Sequence, residues 1–293
     1  MPTLREIRGR IKGVKTTQQL TKAMKLVAAA KLRKSQERAL QARPYAKKLR
    51  ELLTELSQSV DTSRFPLLTE RKSVENVLFI VISSDRGLCG SFNSALFKVA
   101  HQVIDKEYAA YSAAKKFKMI TLGRRASEHF AKGGYPIVEK YAALFTGALK
   151  YEMAKAIAET VSRLYINGEV DKVVVIHNEF KNAISPNLRT DILLPLKPAG
   201  GKKEQKIDYI FEPDAETIVG GLAPLQLTTE IWRMLLESDA AEQAARMTAM
   251  DAATSNAKEL LRSLTITYNR ARQATITKEL IEIVSGANAL QES

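Results

Sequence analysis

The stretch TKAMKLVAAAKLRKSQ, residues 21–36, combines a helix-forming composition with a one-sided charge. It contains five Lys or Arg residues, no Asp or Glu, and neither Gly nor Pro, and such a composition favours a helix. Residues 1–50 extend the bias with 15 basic and two acidic side chains, and so carry the whole formal net charge of +13. A charge block of this kind is typical of a surface that binds an acidic partner. The simpler alternative is a solvated helix face that serves solubility.

Around this stretch, residues 4–60 follow a strict alternation of three- and four-residue spacings. That heptad pattern predicts a helix of about 55 residues that packs against another helix. Gly9 and Gly13 weaken its beginning, and Pro44 is expected to kink it or to open its hydrogen bonding locally. The positions of the predicted seam are Leu4, Ile7, Ile11, Val14, Gln18, Thr21, Lys25, Ala28, Leu32, Ser35, Ala39, Ala42, Ala46, Leu49, Leu53, Leu56 and Val60.

The end of the chain supplies a counterpart. Residues 225–285 contain neither Gly nor Pro and lie between Pro224 and Gly286. A helix of that length with a 3.5-residue period needs a helical partner. We therefore expect residues 1–60 and 211–293 to form a long antiparallel coiled coil. Its C-terminal seam is predicted at Met250, Ala253, Ala257, Leu260, Leu264, Thr267, Ala271 and Ala274, with Ile281 one heptad further on.

The middle of the chain, residues 74–210, has a different pattern. Apolar runs typical of buried strands alternate with amphipathic helical segments, which predicts a small Rossmann-like α/β domain with a largely parallel sheet. Residues 200–214 are expected to form a polar loop. The predicted strands are 76–84, 117–123, 171–180 and an edge strand at 190–196, and the predicted helices lie within 85–104, after a turn, within 124–134 and over 151–168.

One turn in this domain has an enzyme-like composition. The sequence SSDRGLCGSFN, residues 83–93, stands between a strand and a helix, where α/β folds bind ligands. It matches neither phosphate-binding glycine motif, and no His motif stands near Cys89 to activate it as a nucleophile. A structural turn is the favoured interpretation, and a small α/β enzyme with helical arms stays as an alternative.

Metal and cofactor sites are not predicted. The three histidines, His101, His129 and His177, share no metal-ligand spacing, and Cys89 is the single cysteine, which fits a reducing compartment. No apolar run is long enough to span a bilayer. We predict no catalytic residue and no bound cofactor.

Nucleic-acid binding is the second alternative, because a basic helix can contact phosphates. Tyr45 is the single aromatic residue of the first 64, so stacking partners are scarce. The C-terminal helix adds nine acidic and seven basic residues between 227 and 293. Placed alongside the basic helix, it would dilute the positive field, and we therefore expect no nucleic-acid partner.

Both ends of the chain resemble one family. LREIRGRIKGVKTTQQLTKAMKLVAAAKLRKSQ, ARMTAMDAATSNAKELL and YNRARQATITKELIEIVSGANAL are similar to the terminal signatures of the gamma subunits of F-type ATP synthases, and SSDRGLCGSFN is similar to their strand-to-helix turn. The resemblance covers the whole chain in order. Because Met1 leads directly into the first helix, the bacterial form is expected.

The resemblance implies a central rotor shaft without a catalytic site of its own. Proton flow through a ring of c subunits would turn the shaft inside a ring of three alpha and three beta subunits, and ATP would be made on beta. The expected partners are the acidic loops of beta, the epsilon subunit and the c-ring. The expected location is the cytoplasmic face of the bacterial inner membrane, with membrane association through the Fo sector only.

The resemblance also assigns contact residues, each by its match to a family motif. Five residues of the first helix would face the beta subunits, and Arg86 would join that contact region. The remaining five would make polar contacts with the surrounding ring that break and re-form during rotation. The first group is Met24, Lys25, Lys31, Arg33 and Lys34, and the last group is Arg246, Arg272, Gln273, Thr277 and Glu279.

Overall fold

The computed structural model describes residues 3–182, 187–197, 212 and 214–291. The chain has a long N-terminal helix, a long C-terminal helix and a mixed α/β region, as predicted, and its sheet has five strands rather than the four expected. The helices of the described part are α1 (Leu4–Ser57), α2 (Phe92–Gln102), α3 (Ala109–Ala113), α4 (Arg124–Lys132), α5 (Tyr151–Ile166) and α6 (Ala215–Gln291). The strands are β1 (Val77–Ile82), β2 (Phe117–Leu122), β3 (Ile137–Tyr141), β4 (Lys172–Glu179) and β5 (Asn187–Leu194).

The chain divides into two compact units. The stalk unit comprises residues 1–27 and 247–293, and the α/β unit comprises residues 28–246. The sequence predicts a different division, into 1–60, 74–210 and 211–293. That three-part division stays a prediction.

In the stalk unit, the first residues of α1 pack antiparallel to the later part of α6. The Thr254 hydroxyl donates to Thr21 Oγ1 over 2.8 Å, and Arg8 Nη2 donates to the Tyr268 hydroxyl over 2.9 Å. The residue number on α6 therefore increases as the number of its partner on α1 decreases, as expected for antiparallel helices. Every predicted seam position of α1 in this unit is buried or half-buried.

On α6 the predicted seam is only partly correct. Met250, Ala253, Ala257, Leu264 and Ala271 are buried or half-buried, as expected. Leu261 and Tyr268 are half-buried, whereas the predicted positions Leu260 and Thr267 are exposed. From Ala257 onward the seam therefore alternates four- and three-residue steps, in the reverse of the predicted order. The predicted positions Ala274 and Ile281 are exposed, because α1 begins at Leu4 and its Arg8 is already level with Tyr268.

In the α/β unit, the remainder of α1 continues along the earlier part of α6. The Ser35 hydroxyl donates to Asp239 Oδ2 over 2.5 Å, and ion pairs join Arg43 to Glu237 and Arg50 to Glu230. The predicted seam positions of α1 in this unit are all buried or half-buried. The prediction of an antiparallel helix pair is therefore confirmed.

The sheet has the order β3-β2-β1-β4-β5. All neighbouring pairs are parallel except β4 with β5. Alternate residues of β1 point to opposite faces, as the period of a strand requires. Leu78 and Ile80 pack in a core with α5 and α6, whereas Val77 and Phe79 pack in a second core with α2 and α4.

Two elements differ from the expectations. Helix α6 begins at Ala215 and continues through Pro224, which was expected to bound the Gly- and Pro-free stretch, because Val219 and Ala223 are buried in the core and tertiary packing outweighs propensity. Strand β3 was not predicted, since its sequence IVEKY has no buried position. The predicted polar loop at 200–214 lies outside the described residues, apart from 212 and 214.

Candidate functional site

The predicted contact residues fall into both units. Six belong to the stalk unit and five to the α/β unit. The first group is Met24, Lys25, Arg272, Gln273, Thr277 and Glu279, and the second is Lys31, Arg33, Lys34, Arg86 and Arg246. Their assignment as contact residues stays a prediction, and their surroundings differ from one another.

Met24 and Lys25 lie at the helix pairing of the stalk unit. Both are half-buried. The Lys25 ammonium is 2.6 Å from Asp251 Oδ1 on α6, so part of its charge is neutralised within the chain. An exposed ion pair of this kind contributes about 0–1 kcal/mol to stability. Met24, the residue before Lys25, is uncharged and lies in a segment rich in cations.

The other four residues of the stalk unit lie on α6 beyond its recorded pairing with α1. Arg272, Gln273, Thr277 and Glu279 are all exposed. The Thr277 hydroxyl donates to the Gln273 carbonyl oxygen over 2.9 Å, a local bond within the helix. Exposed apolar residues accompany them: Ile276, Leu280, Ile281, Ile283 and Val284. This part of α6 thus presents mixed polar and apolar side chains to the surroundings.

In the α/β unit, α1 carries three exposed cations close together. Lys31, Arg33 and Lys34 occupy one turn of the helix and are exposed. Arg33 Nε lies 3.3 Å from Glu37 Oε1, and 86% of the Arg33 side chain is accessible. Water and salt strongly screen an ion pair that is so exposed to solvent. The basic surface predicted from the sequence is therefore present and solvated.

The turn at residues 83–93 is built around Asp85. Its Oδ1 accepts the backbone N–H of Arg124 (2.9 Å) and of Ala143 (3.1 Å). Its Oδ2 accepts the N–H of Phe145 (2.6 Å) and the hydroxyl of Thr146 (3.1 Å). This buried carboxylate therefore links the end of β1 to the start of α4 and to the segment after β3. All four donors are internal, which favours the structural interpretation of the turn.

Among the described residues, the neighbours of Cys89 do not activate it. Its thiol is buried beside Ser84 and Asn93, with Asn93 Nδ2 at 3.3 Å from Sγ. Burial raises the pKa of the Cys89 thiol, and the nearby Glu242 carboxylate acts in the same direction. A nucleophilic cysteine needs a lowered pKa or an adjacent base. The structure therefore argues against the enzyme alternative that was centred on this residue.

Arg246 joins α6 to the same turn. Its guanidinium forms an ion pair with Glu242 and donates from Nη1 to the Gly87 carbonyl oxygen over 2.6 Å. Arg86, the residue before Gly87, is exposed. Two predicted contact residues are thus brought together around one turn. Arg86 is exposed, whereas Arg246 is half-buried and positions the turn.

Sequence reasoning missed a set of acidic residues on α6. Glu230, Glu237 and Glu242 are buried, and Asp239 is half-buried. Burial raises the pKa values of Asp239 and Glu242, although Ser35 and Arg246 respectively oppose the effect by hydrogen bonding or charge. A usable signal was the seven-residue spacing of Glu230 and Glu237, which places both on one face of the helix.

A pH-dependent effect is expected at Asp239. Because burial raises its pKa, the native chain holds this proton more tightly than the unfolded chain does, and stability rises as the pH falls through that pKa. Asp239→Asn mimics the protonated form. We expect it to raise the free energy of unfolding at neutral pH, with the gain shrinking on acidification in urea titrations.

The matched control for Asp239 is Asp191→Asn. The His177 hydrogen bond lowers the pKa of Asp191, so its stabilising contribution is present at neutral pH and is lost as the pH falls through the lowered pKa. The control should therefore destabilise the chain at neutral pH. If both variants changed the free energy of unfolding in the same direction at neutral pH, the raised pKa assigned to Asp239 would be contradicted.

In residues 3–182, 187–197 and 214–291, no group of three or more His, Cys, Asp or Glu side chains is arranged to hold a metal ion. Among the same described residues, no helix carries an apolar stretch that could cross a bilayer.

The fold and the site together define a protein with long paired helices that present cations and an α/β unit whose polar turn is used internally. A family model described as ATP synthase matches residues 3–290. The chain is 58% identical to the ATP synthase gamma chain of Chloroherpeton thalassium, with 100% of both chains covered. The chain therefore belongs to the ATP synthase gamma-chain family.

Solved structures agree with this assignment. A chain in the cryo-EM structure of the central stalk and c-ring of the Tetrahymena thermophila mitochondrial ATP synthase is 27% identical, with a TM-score of 0.59 over 80% of this chain and 99% of that one. A chain of the Euglena gracilis mitochondrial ATP synthase is 20% identical, with a TM-score of 0.71 over 98% and 94%. The second likeness concerns the fold alone.

Proposed function

We propose that the chain is the rotor shaft of a bacterial ATP synthase. In this role it carries no catalytic site, and it couples rotation of a c-ring, driven by protons, to the conformational cycle of the catalytic beta subunits. The observation that carries the proposal is the long antiparallel helix pair in a member of this family. Parts of its seam consist of small residues, among them Ala28 and Ala257, which allow the helices to pack closely there.

The proposed contacts follow from charge and exposure. Lys31, Arg33 and Lys34 form an exposed basic surface that suits acidic loops of the beta subunits. Complementary charges favour the encounter of two surfaces and fix their register. Arg86 extends that surface. On α6, Arg272, Gln273, Thr277 and Glu279 are exposed polar groups that can exchange hydrogen bonds with a surrounding ring.

The remaining partners are proposed from family membership. The α/β unit would stand on the c-ring beside an epsilon subunit, and the complex would lie at the cytoplasmic face of the inner membrane. The chain itself would be peripheral, held to the membrane through the Fo sector only. No cofactor is proposed for the chain, and no nucleic acid.

Met24→Lys is expected to impair coupling. The new ammonium would lie next to Lys25 on the surface proposed to meet acidic loops, and it would add an ion pair that each rotation must break. Close interfacial charge pairs are worth at least about 1.5 kcal/mol, which corresponds to a roughly tenfold slower breaking step. Proton pumping per ATP hydrolysed, measured in membrane vesicles, should fall.

The control for this prediction is Met24→Leu, which keeps the volume and adds no charge. It should leave the ratio of protons pumped to ATP hydrolysed near that of the unmodified complex. An unchanged ratio in the Lys variant would show that Met24 does not face an acidic partner.

The proposed function is tested by isolation of the intact assembly. The chain is tagged in its native cell, purified gently and weighed by native mass spectrometry. Two kinds of larger subunit, three copies of each per copy of this chain, together with ATPase activity, are the expected result. A lone chain, or one that stays bound to nucleic acid through moderate salt, would overturn the proposal, since phosphate binding has a steep salt dependence.

A further inference from the structure

Two histidines that are 28 residues apart in the sequence meet on the surface of the α/β unit. His101 lies in the last turn of α2 and His129 lies in α4. Their Nε2 atoms are 2.9 Å apart. His129 is exposed and 38% of the His101 side chain is accessible, so a small solute can reach both nitrogens.

Both rings are held in place by their neighbours. His101 Nδ1 lies 2.7 Å from the Tyr135 hydroxyl, and Asp105 Oδ2 lies 3.9 Å from the same nitrogen. The His129 ring stacks on Phe97 with a centroid distance of 4.3 Å and an interplanar angle of 10°. A polar partner on the far nitrogen is the usual means of orienting a metal-binding imidazole.

The distance between the nitrogens fits one coordination geometry well. When two imidazole nitrogens bind one metal ion at about 2.05 Å, a nitrogen–metal–nitrogen angle of about 90° places them about 2.9 Å apart. Right angles belong to tetragonal or octahedral coordination, which Cu²⁺ and Ni²⁺ adopt with nitrogen ligands. Tetrahedral coordination, as in Zn²⁺ sites, would need a separation of about 3.3 Å.

We propose that His101 and His129 form a surface site for a divalent transition-metal ion, with Cu²⁺ preferred over Ni²⁺ and Zn²⁺. The protein supplies two nitrogen ligands, and water completes the coordination. The order of preference follows the general affinity series for divalent ions, in which Cu²⁺ binds most tightly. The site does not depend on the function proposed above.

The protonation states are compatible with this proposal. When His101 donates its Nδ1 hydrogen to Tyr135, a lone pair remains on Nε2. In the metal-free protein this lone pair can accept the Nε2 hydrogen of His129. The ion is bound when the His129 hydrogen resides on Nδ1 instead, so both imidazoles stay neutral and each offers a lone pair.

The test uses the full-length, untagged chain and Cu²⁺. Electron paramagnetic resonance should show two bound nitrogens at one equivalent of Cu²⁺. Either His101→Gln or His129→Gln should reduce that number to one and weaken binding roughly 100-fold, because a second ligand on a rigid scaffold acts at high effective concentration. Tyr135→Phe should keep two nitrogens and weaken binding about tenfold.

The control variant is Lys132→Gln, which alters α4 near the site without removing a ring, and it should bind like the unmodified chain. Because the ion joins α2 to α4, one equivalent of Ni²⁺ should raise the thermal midpoint of the unmodified chain and not that of either His variant. One nitrogen in the unmodified spectrum, or a His variant that binds within threefold of it, would overturn the proposal.

Discussion

Asp85→Ala is expected to destabilise the α/β unit by about 3–5 kcal/mol, because each buried donor that loses its acceptor costs about 1–3 kcal/mol. The alanine would leave the N–H groups of Arg124, Ala143 and Phe145 without the acceptor that the carboxylate provides. Ala143 has a φ of 67°, a conformation that costs an L-residue about 1–2 kcal/mol. We expect the segment after β3 to relax once its anchor is removed.

The measurement for Asp85 is urea unfolding followed by the fluorescence of Trp232. This is the only tryptophan of the chain, and it packs against the larger core of the α/β unit. Asp85→Asn, which keeps one acceptor oxygen, should lose part of the stability. The exposed Glu139→Ala should change it by no more than about 0.5 kcal/mol. Equal effects of Asp85→Ala and Glu139→Ala would disprove the anchoring role.

Gly123→Ala is the second substitution with a large expected effect. Gly123 has a φ of 95°, and a Cβ at this position would lie 2.3 Å from the backbone oxygen of Ser83. Backbone atoms cannot yield as a flexible side chain can, so β1 and β2 would have to shift. Conformational strain of about 1–2 kcal/mol and overpacking of about 1–3 kcal/mol together predict a loss of roughly 3 kcal/mol or more.

Gly168→Ala is the matched control for this prediction. Gly168 also has a positive φ, 73°, but a Cβ there would meet nothing within 4 Å. Gly168→Ala should therefore lower the free energy of unfolding only by the conformational strain, about 1–2 kcal/mol. The same urea titration compares the two variants. A Gly123→Ala variant no less stable than Gly168→Ala would mean that the close approach of Ser83 does not constrain the turn.

The helix pair could be predicted from the sequence because its signal is periodic. The seam positions of α1 are correct throughout, since small and apolar residues there alternate with basic ones. On α6 the pattern is ambiguous, because Leu260 and Leu261 are both apolar and adjacent. Only the position of the partner helix decides that Leu261 is half-buried and Leu260 is 49% exposed.

Polar contacts were much harder to predict. Asp85 stood in a turn that had been singled out, but its donors follow it by 39 to 61 residues. His101 and His129 gave no signal along the chain, because two separate helices bring them together. The acids of α6 are buried because α6 lies in the core of the α/β unit. Such contacts depend on tertiary packing, which a single sequence does not display.

The pairing of the first helix with the last has a consequence for synthesis on the ribosome. Arg8 and Tyr268, which are hydrogen-bonded, are separated by 260 residues. At a translation rate of about 5–20 residues per second, α1 is complete roughly 10–40 s before the matching part of α6 emerges. During that interval the α1 seam has no native partner and remains open to chaperones or to other nascent chains. Pairing of the chain ends is therefore a post-translational or very late co-translational event.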